Sequence, residues 1–208
     1  MIYFVLLLND FLLVFKTTPK GTGSSFGIHV WWMGLRHGRF FNLPLSDSLV
    51  LFLQILSSLM ALLILLTTLV FSIRKKDRKL LSEAPYIDAF RVGAGIYIGC
   101  FLLMNTVDYR LIFLVFTIPQ IVAWLRDKEK DISLVTKITL AVMVFSLWST
   151  FVARFFGRNT TFLMEEFTNW ILLAGLLYLF FSSLPDWFRD YLRRPFSGIR
   201  NINKQAME

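Results

Sequence analysis

Residues 49–73 read LVLFLQILSSLMALLILLTTLVFSI. No charge interrupts this run, and its polar members are the uncharged Gln54, Ser57, Ser58, Thr67, Thr68 and Ser72. A helix of about 20 apolar residues crosses the hydrocarbon core of a bilayer. The run shows none of the two-residue alternation expected of a barrel strand. Inside lipid the backbone must satisfy its own N–H and C=O groups, and a helix does so within one segment. The stretch predicts a membrane-spanning helix.

Five further apolar runs flank it: Ile2–Phe15, Ala89–Asn105, Leu111–Leu125, Ile132–Val152 and Phe167–Leu184. The chain of 208 residues is 56% hydrophobic and only 17% charged, against about a quarter charged in a soluble domain. A soluble core of this size cannot hide so much apolar surface. The expected fold is all-α, a polytopic transmembrane bundle of about six spans. No linker divides it, so residues 1–208 are read as one transmembrane domain. The end of the chain, 185–208, is read as a cytoplasmic tail held at the interface by Trp187, Phe188, Tyr191 and neighbouring arginines. Ile2–Phe15 has no basic residue before it and carries Asn9 and Asp10 at its centre, so it does not resemble a cleavable signal. A chain that opens inside such a run is expected to be the tail of a longer protein.

Loop charges orient the bundle. Six Lys and Arg lie in Arg74–Arg91, four in Arg126–Lys137 and five from Arg189 onward. The alternate connections hold four in Lys16–Arg39, Arg110 alone, and the pair Arg154 and Arg158. This asymmetry puts both termini in the cytoplasm, and the expected location is the plasma (inner) membrane, as a multi-pass chain. The net charge of +8 therefore meets anionic lipid head groups rather than nucleic acid. On the extracytoplasmic side, Lys16–Asp47 carries Phe26, Trp31, Trp32, Phe40 and Phe41 and is expected to lie along the membrane surface.

Several motifs admit plain explanations. Cys100 is the single cysteine, and His29 and His37 have no ligand pattern around them, so no metal site or cofactor is expected. Gly21–Gly27 lacks the Gly-Lys-Ser/Thr ending of a phosphate loop. Gly93, Gly95 and Gly99 fall inside a span, and Gly95 and Gly99, four apart, suit close helix packing. Asn159-Thr160-Thr161 is an N-glycosylation tripeptide of little weight beside the bilayer. Glu165 and Glu166 are read as complementing the dipole at the start of the last span. Asp10 is an ionisable group in an apolar run, either functional or interfacial. Pro119 is expected to kink the fourth span, with Gln120 seeking a partner in the bundle.

Asn105-Thr-Val-Asp-Tyr-Arg110 is the strongest candidate site. It joins two spans through a very short link. Asp108 can cap the helix that begins near Tyr109, and Arg110 falls in that helix's first turn. A cation is disfavoured there, so an anion should compensate. Two readings stand: Asp108 is that anion, or a lipid-linked phosphate is, held by the forked guanidinium and the helix N-terminus.

The stretch Phe90–Gln120, with Asn105-x-x-Asp108-Tyr109-Arg110-Leu111-Ile112-Phe113 and Ile118-Pro119-Gln120, resembles the C-terminal half of family 87-type membrane glycosyltransferases of the GT-C superfamily. The resemblance implies transfer of a sugar from a polyprenyl-phosphate donor at the extracytoplasmic face. It places Asp108, Tyr109 and Arg110 near the donor phosphate, with Asn105 and Gln120 as supporting residues. It implies membrane lipid and a polyprenyl-phosphate sugar as partners. Members usually carry a catalytic acid in the first large extracytoplasmic loop, yet no acidic residue lies between Lys16 and Ser46. A missing N-terminal half or a partner subunit is the expected remedy, and no general base is assigned. The rival reading is a non-enzymatic subunit packing with partner helices through Gly95 and Gly99. A small transporter ranks last, because paired broken helices and buried pathway charges are lacking.

Overall fold

A computed structural model describes residues 25–30, 32, 45–74, 85–103, 106–126, 133–185, 187–188 and 191. Among the described residues the fold is all-helical, apart from a two-residue antiparallel pair. The order is β1 (Ser25–Phe26), α1 (Asp47–Arg74), α2 (Ile87–Leu103), β2 (Thr106–Val107), a 3₁₀ helix (Asp108–Thr117), α3 (Ile118–Arg126), α4 (Ser133–Phe156) and α5 (Arg158–Ser182). The first expected span, Ile2–Phe15, lies outside the described residues, as does most of the tail 185–208.

The helices run up and down, as pairs of touching residues show. Gly93 lies against Phe113 and Thr117, Phe90 meets Trp124 edge to face, and the Tyr86 N–H reaches Gln120. The 3₁₀–α3 segment is therefore antiparallel to α2. Arg91 reaches Ser183 while Phe101 meets Trp170 edge to face, so α5 is also antiparallel to α2. Thr139 touches Gly175 and Ser146 bonds Asn169, which makes α4 and α5 an antiparallel hairpin. The core lies among these helices, with Phe90, Tyr97, Phe101, Leu114, Ile121, Met143, Leu172 and Leu176 fully enclosed.

The outer surface is apolar as well. On α1, Phe52, Leu59, Leu63 and Phe71 are each more than half exposed. Two helices, Asp47–Ile73 and Thr160–Ser182, are long and apolar enough to cross a membrane. The apolar parts of the others, Leu111–Arg126 and Leu134–Ser149, are shorter.

Four local features depart from expectation. The fourth run is a 3₁₀ helix that turns α-helical one residue before Pro119, rather than one kinked helix. Pro119 has no N–H for the Val115 carbonyl and its ring would crowd that group, so α-geometry cannot run through the junction. At the start of α3 the missing donor costs nothing, since first-turn N–H groups have no partner within the helix. Next, the connection expected over residues 154–166 is a single residue, Gly157, at φ 79 and ψ 159. That region of backbone space is open essentially to glycine alone. Third, the tightly packed glycines are Gly93 and Gly175 rather than Gly95 and Gly99. A Cβ on Gly93 would sit 2.7 Å from the Phe113 carbonyl oxygen, and one on Gly175 would overlap Thr139, whereas Gly99 meets nothing within 4 Å. Finally, part of the aromatic segment 16–47 tucks into the bundle end instead of lying on the surface: Ile28, Val30 and Trp32 are buried.

Candidate functional site

The up-and-down order sorts the polar groups between two ends. At one end α2 finishes at Leu103, the 3₁₀ helix starts at Asp108, and the α4–α5 hairpin turns at Gly157. Here β1 pairs with β2, Ser25 opposite Val107 and Phe26 opposite Thr106. Residues 25–26 of the first connection are thereby fixed against residues 106–107. Two further contacts hold it down: the Ile28 N–H donates to the Phe101 carbonyl at 3.1 Å, and Val30 packs with Phe162. Trp32 Nε1 donates to His29 Nδ1 at 3.2 Å. That bond requires Nδ1 as acceptor, so a neutral His29 carries its proton on Nε2. His29 faces an open groove of about 400 Å³ shared with Leu51, Gln54, Ile55, Ser58, Leu59 and Leu62 of α1.

Beside this convergence, α4 and α5 bring polar side chains into the interior. Ser146 Oγ donates to Asn169 Oδ1 at 2.8 Å. The Tyr97 hydroxyl donates to the Asn169 carbonyl at 3.3 Å, and Ser149 hydrogen-bonds the Glu165 carboxylate. Glu166 is 5% exposed, one helical turn from Asn169 and toward the end where α2 gives way to β2. Because α5 begins at Arg158, Glu165 and Glu166 stand about two turns inside it. The dipole effect fades within the first turn, so it does not account for them. Burial of Glu166 and the Ser146–Asn169 bond went unread in the sequence. The available signal was a carboxylate and an amide three residues apart at the mouth of an apolar run, spacing that puts both on one helix face.

Of the residues singled out from sequence, Asp108, Tyr109 and Arg110 form the first turn of the 3₁₀ helix at this end. Asn105 lies outside the described residues. Gln120 is not with them. It sits in α3 at the opposite end, fully buried, with Oε1 accepting the Tyr86 N–H at 3.0 Å. The 3₁₀ helix alone separates it from Asp108 by roughly 20 Å at about 2 Å per residue. Gln120 thus satisfies the backbone at the start of α2 instead of supporting the Asp108 link. Among the described residues no group of three His, Cys, Asp or Glu side chains is placed to hold a metal ion.

The chemistry open to the Asp108 end is that of polar and hydrogen-bonding recognition. It offers the Ser149 hydroxyl, the Glu165 carboxylate and an imidazole N–H on the side of the bundle where several connections meet. No protein-family model matches the chain, and neither a curated protein nor a solved structure is similar to it.

Proposed function

We propose that the chain is a multi-pass protein of the plasma (inner) membrane, with about six spans and both termini cytoplasmic. We propose further that it serves as a membrane glycosyltransferase, or as the C-terminal part of one, that takes its sugar from a polyprenyl-phosphate donor at the extracytoplasmic face. In this reading Asp108, Tyr109 and Arg110 bind the donor phosphate while the isoprenoid chain stays in lipid.

Support for the membrane placement comes from α1. A core helix of a soluble protein is covered, whereas only 17% of the most apolar window of α1 is buried. Exposed Leu and Phe side chains line its outward face over its length, and hydrocarbon is the solvent that suits them. Exposed aromatics also mark both ends of the bundle: Trp148, Phe151, Phe155 and Phe156 at one, and Tyr86, Trp187 and Tyr191 at the other. Such rings favour the two interfaces of a bilayer.

One observation carries the site. Residues 25–26, the Asp108–Arg110 turn and the Gly157 turn between α4 and α5 share one end. The connection 75–84, with four Lys and Arg, and the connection 127–132, with Lys128 and Lys130, join helices at the other. A polar, cation-poor end opposite a cation-rich one is the arrangement needed for a donor handled outside the cytoplasm. The test is donor-lipid binding in nanodiscs: Arg110→Ala should lose it while the protein stays folded in the bilayer. Binding equal to wild type would remove the sugar-transfer reading.

A second reading, a non-enzymatic subunit, has its own observation. Gly99 has open space around it and Gly95 meets only the Phe180 ring, at 3.9 Å. That leaves part of α2 accessible to a partner helix, the small-residue geometry that membrane helices use to associate. Isolation of a stable hetero-complex without polyprenyl phosphate would favour it.

A further inference from the structure

Helix α1 carries one polar group that neither the fold nor sugar transfer accounts for. Within the run 49–73, Ser57, Ser58, Thr67, Thr68 and Ser72 each donate a hydroxyl to a carbonyl three or four residues earlier. Those side chains are satisfied inside their own helix. Gln54 is the remaining polar member of the run. Its backbone carbonyl accepts from Ser58, but its side-chain amide bonds nothing among the described residues. Gln54 follows Leu49 by about 8 Å along a helix that rises about 1.5 Å per residue. In a bilayer that depth lies in hydrocarbon, where an amide without a partner is costly.

The surface around Gln54 suits another helix. Leu51, Gln54, Ser58 and Leu62 recur at three- and four-residue spacing, which places them on one face of α1. With Ile55 and Leu59 they line the open groove of about 400 Å³ whose lining His29 completes. Leu51, Ile55, Leu59 and Leu62 are each more than half exposed. Helix α1 packs chiefly on α5, which leaves this stripe uncovered among the described residues. Ser58 lies within the stripe, and a residue that small lets two helix backbones approach closely.

We propose that this stripe joins two copies of the chain, packed along α1 about a two-fold axis normal to the membrane. The Gln54 amide selects a second copy over other occupants. It holds both donors and an acceptor, so an identical amide can satisfy it in both directions. Copies inserted with one topology carry Gln54 at one depth, and the two-fold brings each amide beside the partner's Gln54. A lipid chain would leave the amide unsatisfied, as would a partner helix that is apolar at that level. The interface rests on the membrane placement but is independent of sugar transfer and of Arg110. It also uses a different helix from Gly95 and Gly99.

The experiment uses the full chain, purified and returned to phosphatidylcholine vesicles, so that no other protein can occupy the stripe. Recovery with the vesicles checks the membrane placement by itself. Energy transfer between donor- and acceptor-labelled chains, over a series of protein-to-lipid ratios, gives the dissociation constant of the dimer. Gln54→Leu should raise that constant about tenfold, the effect of hydrogen bonds between helices in lipid. In a Cys100→Ala background, Ser58→Cys should form a disulfide-linked dimer under copper-phenanthroline oxidation. Met60→Cys should not, because Met60 is exposed on the opposite face of α1. A chain that stays monomeric, a dissociation constant unchanged in Gln54→Leu, or equal cross-linking at 58 and 60 would each overturn the proposal. Break-up of the dimer by added polyprenyl phosphate would also overturn it, by giving the groove to a lipid chain.

Discussion

Ser146 on α4 donates its hydroxyl to the Asn169 side chain on α5 at 2.8 Å, with both residues buried. This bond sits near the middle of the hairpin. Asn169→Leu leaves the Ser146 hydroxyl without its acceptor. Hydrogen bonds between membrane helices are worth about 0.6–2 kcal/mol, and a loss in that range is expected in a denaturation series in detergent. The double variant Ser146→Ala with Asn169→Leu should recover part of it, because the orphaned donor is removed as well. Simple additivity of the two single losses would show that the bond contributes nothing.

Glycine positions give a second prediction. Gly93→Ala puts a methyl group 2.7 Å from the Phe113 carbonyl oxygen, a backbone atom that cannot rotate away. A cost of about 1–3 kcal/mol follows from overpacking, and the thermal midpoint should fall. Gly99→Ala meets nothing within 4 Å and should leave the isolated chain unchanged or slightly more stable, since alanine is the better helix former. Equal effects at the two positions would contradict the packing of α2 against the 3₁₀ helix.

Gly157 is the whole connection between α4 and α5, and its φ of 79 with ψ of 159 is unfavourable for any side chain. Gly157→Ala has free space around it, so its penalty comes from the backbone alone, about 1–3 kcal/mol. Inserting two further glycines beside it in the alanine variant should relieve the strain and restore the melting temperature.

Gln120 lies at the end of the bundle opposite Asp108. Gln120→Leu removes the acceptor for the Tyr86 N–H, and a stability loss of about 1–3 kcal/mol is expected for the orphaned donor. Donor-lipid binding should persist at a temperature where the variant remains folded, because Gln120 does not lie with Asp108. Loss of that binding without unfolding would mean the ends are coupled.

The helices were legible because apolar runs and their interruptions are one-dimensional signals. The boundaries of α1 and α2 fall within two residues of Leu49–Ile73 and Ala89–Asn105. Where polar residues can continue a helix, the signal fails. Arg158, Asn159, Glu165 and Glu166 do not look like part of a span, yet α5 begins at Arg158 because a hairpin partner supports it. The choice of packing glycine depends on which face meets which neighbour, and Gly93 differs from Gly99 only in having Phe113 behind it. Gln120 was placed with Asp108 by proximity along the chain, but a helix carries sequence neighbours to opposite ends. The backbone of Asp108–Arg110 starts a helix close to the expected Tyr109. Convergence of Ser25–Phe26 on the same link required the fold.

The central claim is that Arg110 lies outside the cytoplasm, across a bilayer from Lys128. Its most direct test replaces Cys100 with alanine and introduces single cysteines, Tyr109→Cys or Lys128→Cys, in the full chain. Intact cells are then treated with a membrane-impermeant thiol reagent. The account predicts labelling at 109 in intact cells and at 128 only after permeabilisation. Labelling at 128 but not 109 would invert the chain, and recovery of either variant in the detergent-free soluble fraction would contradict the membrane placement itself.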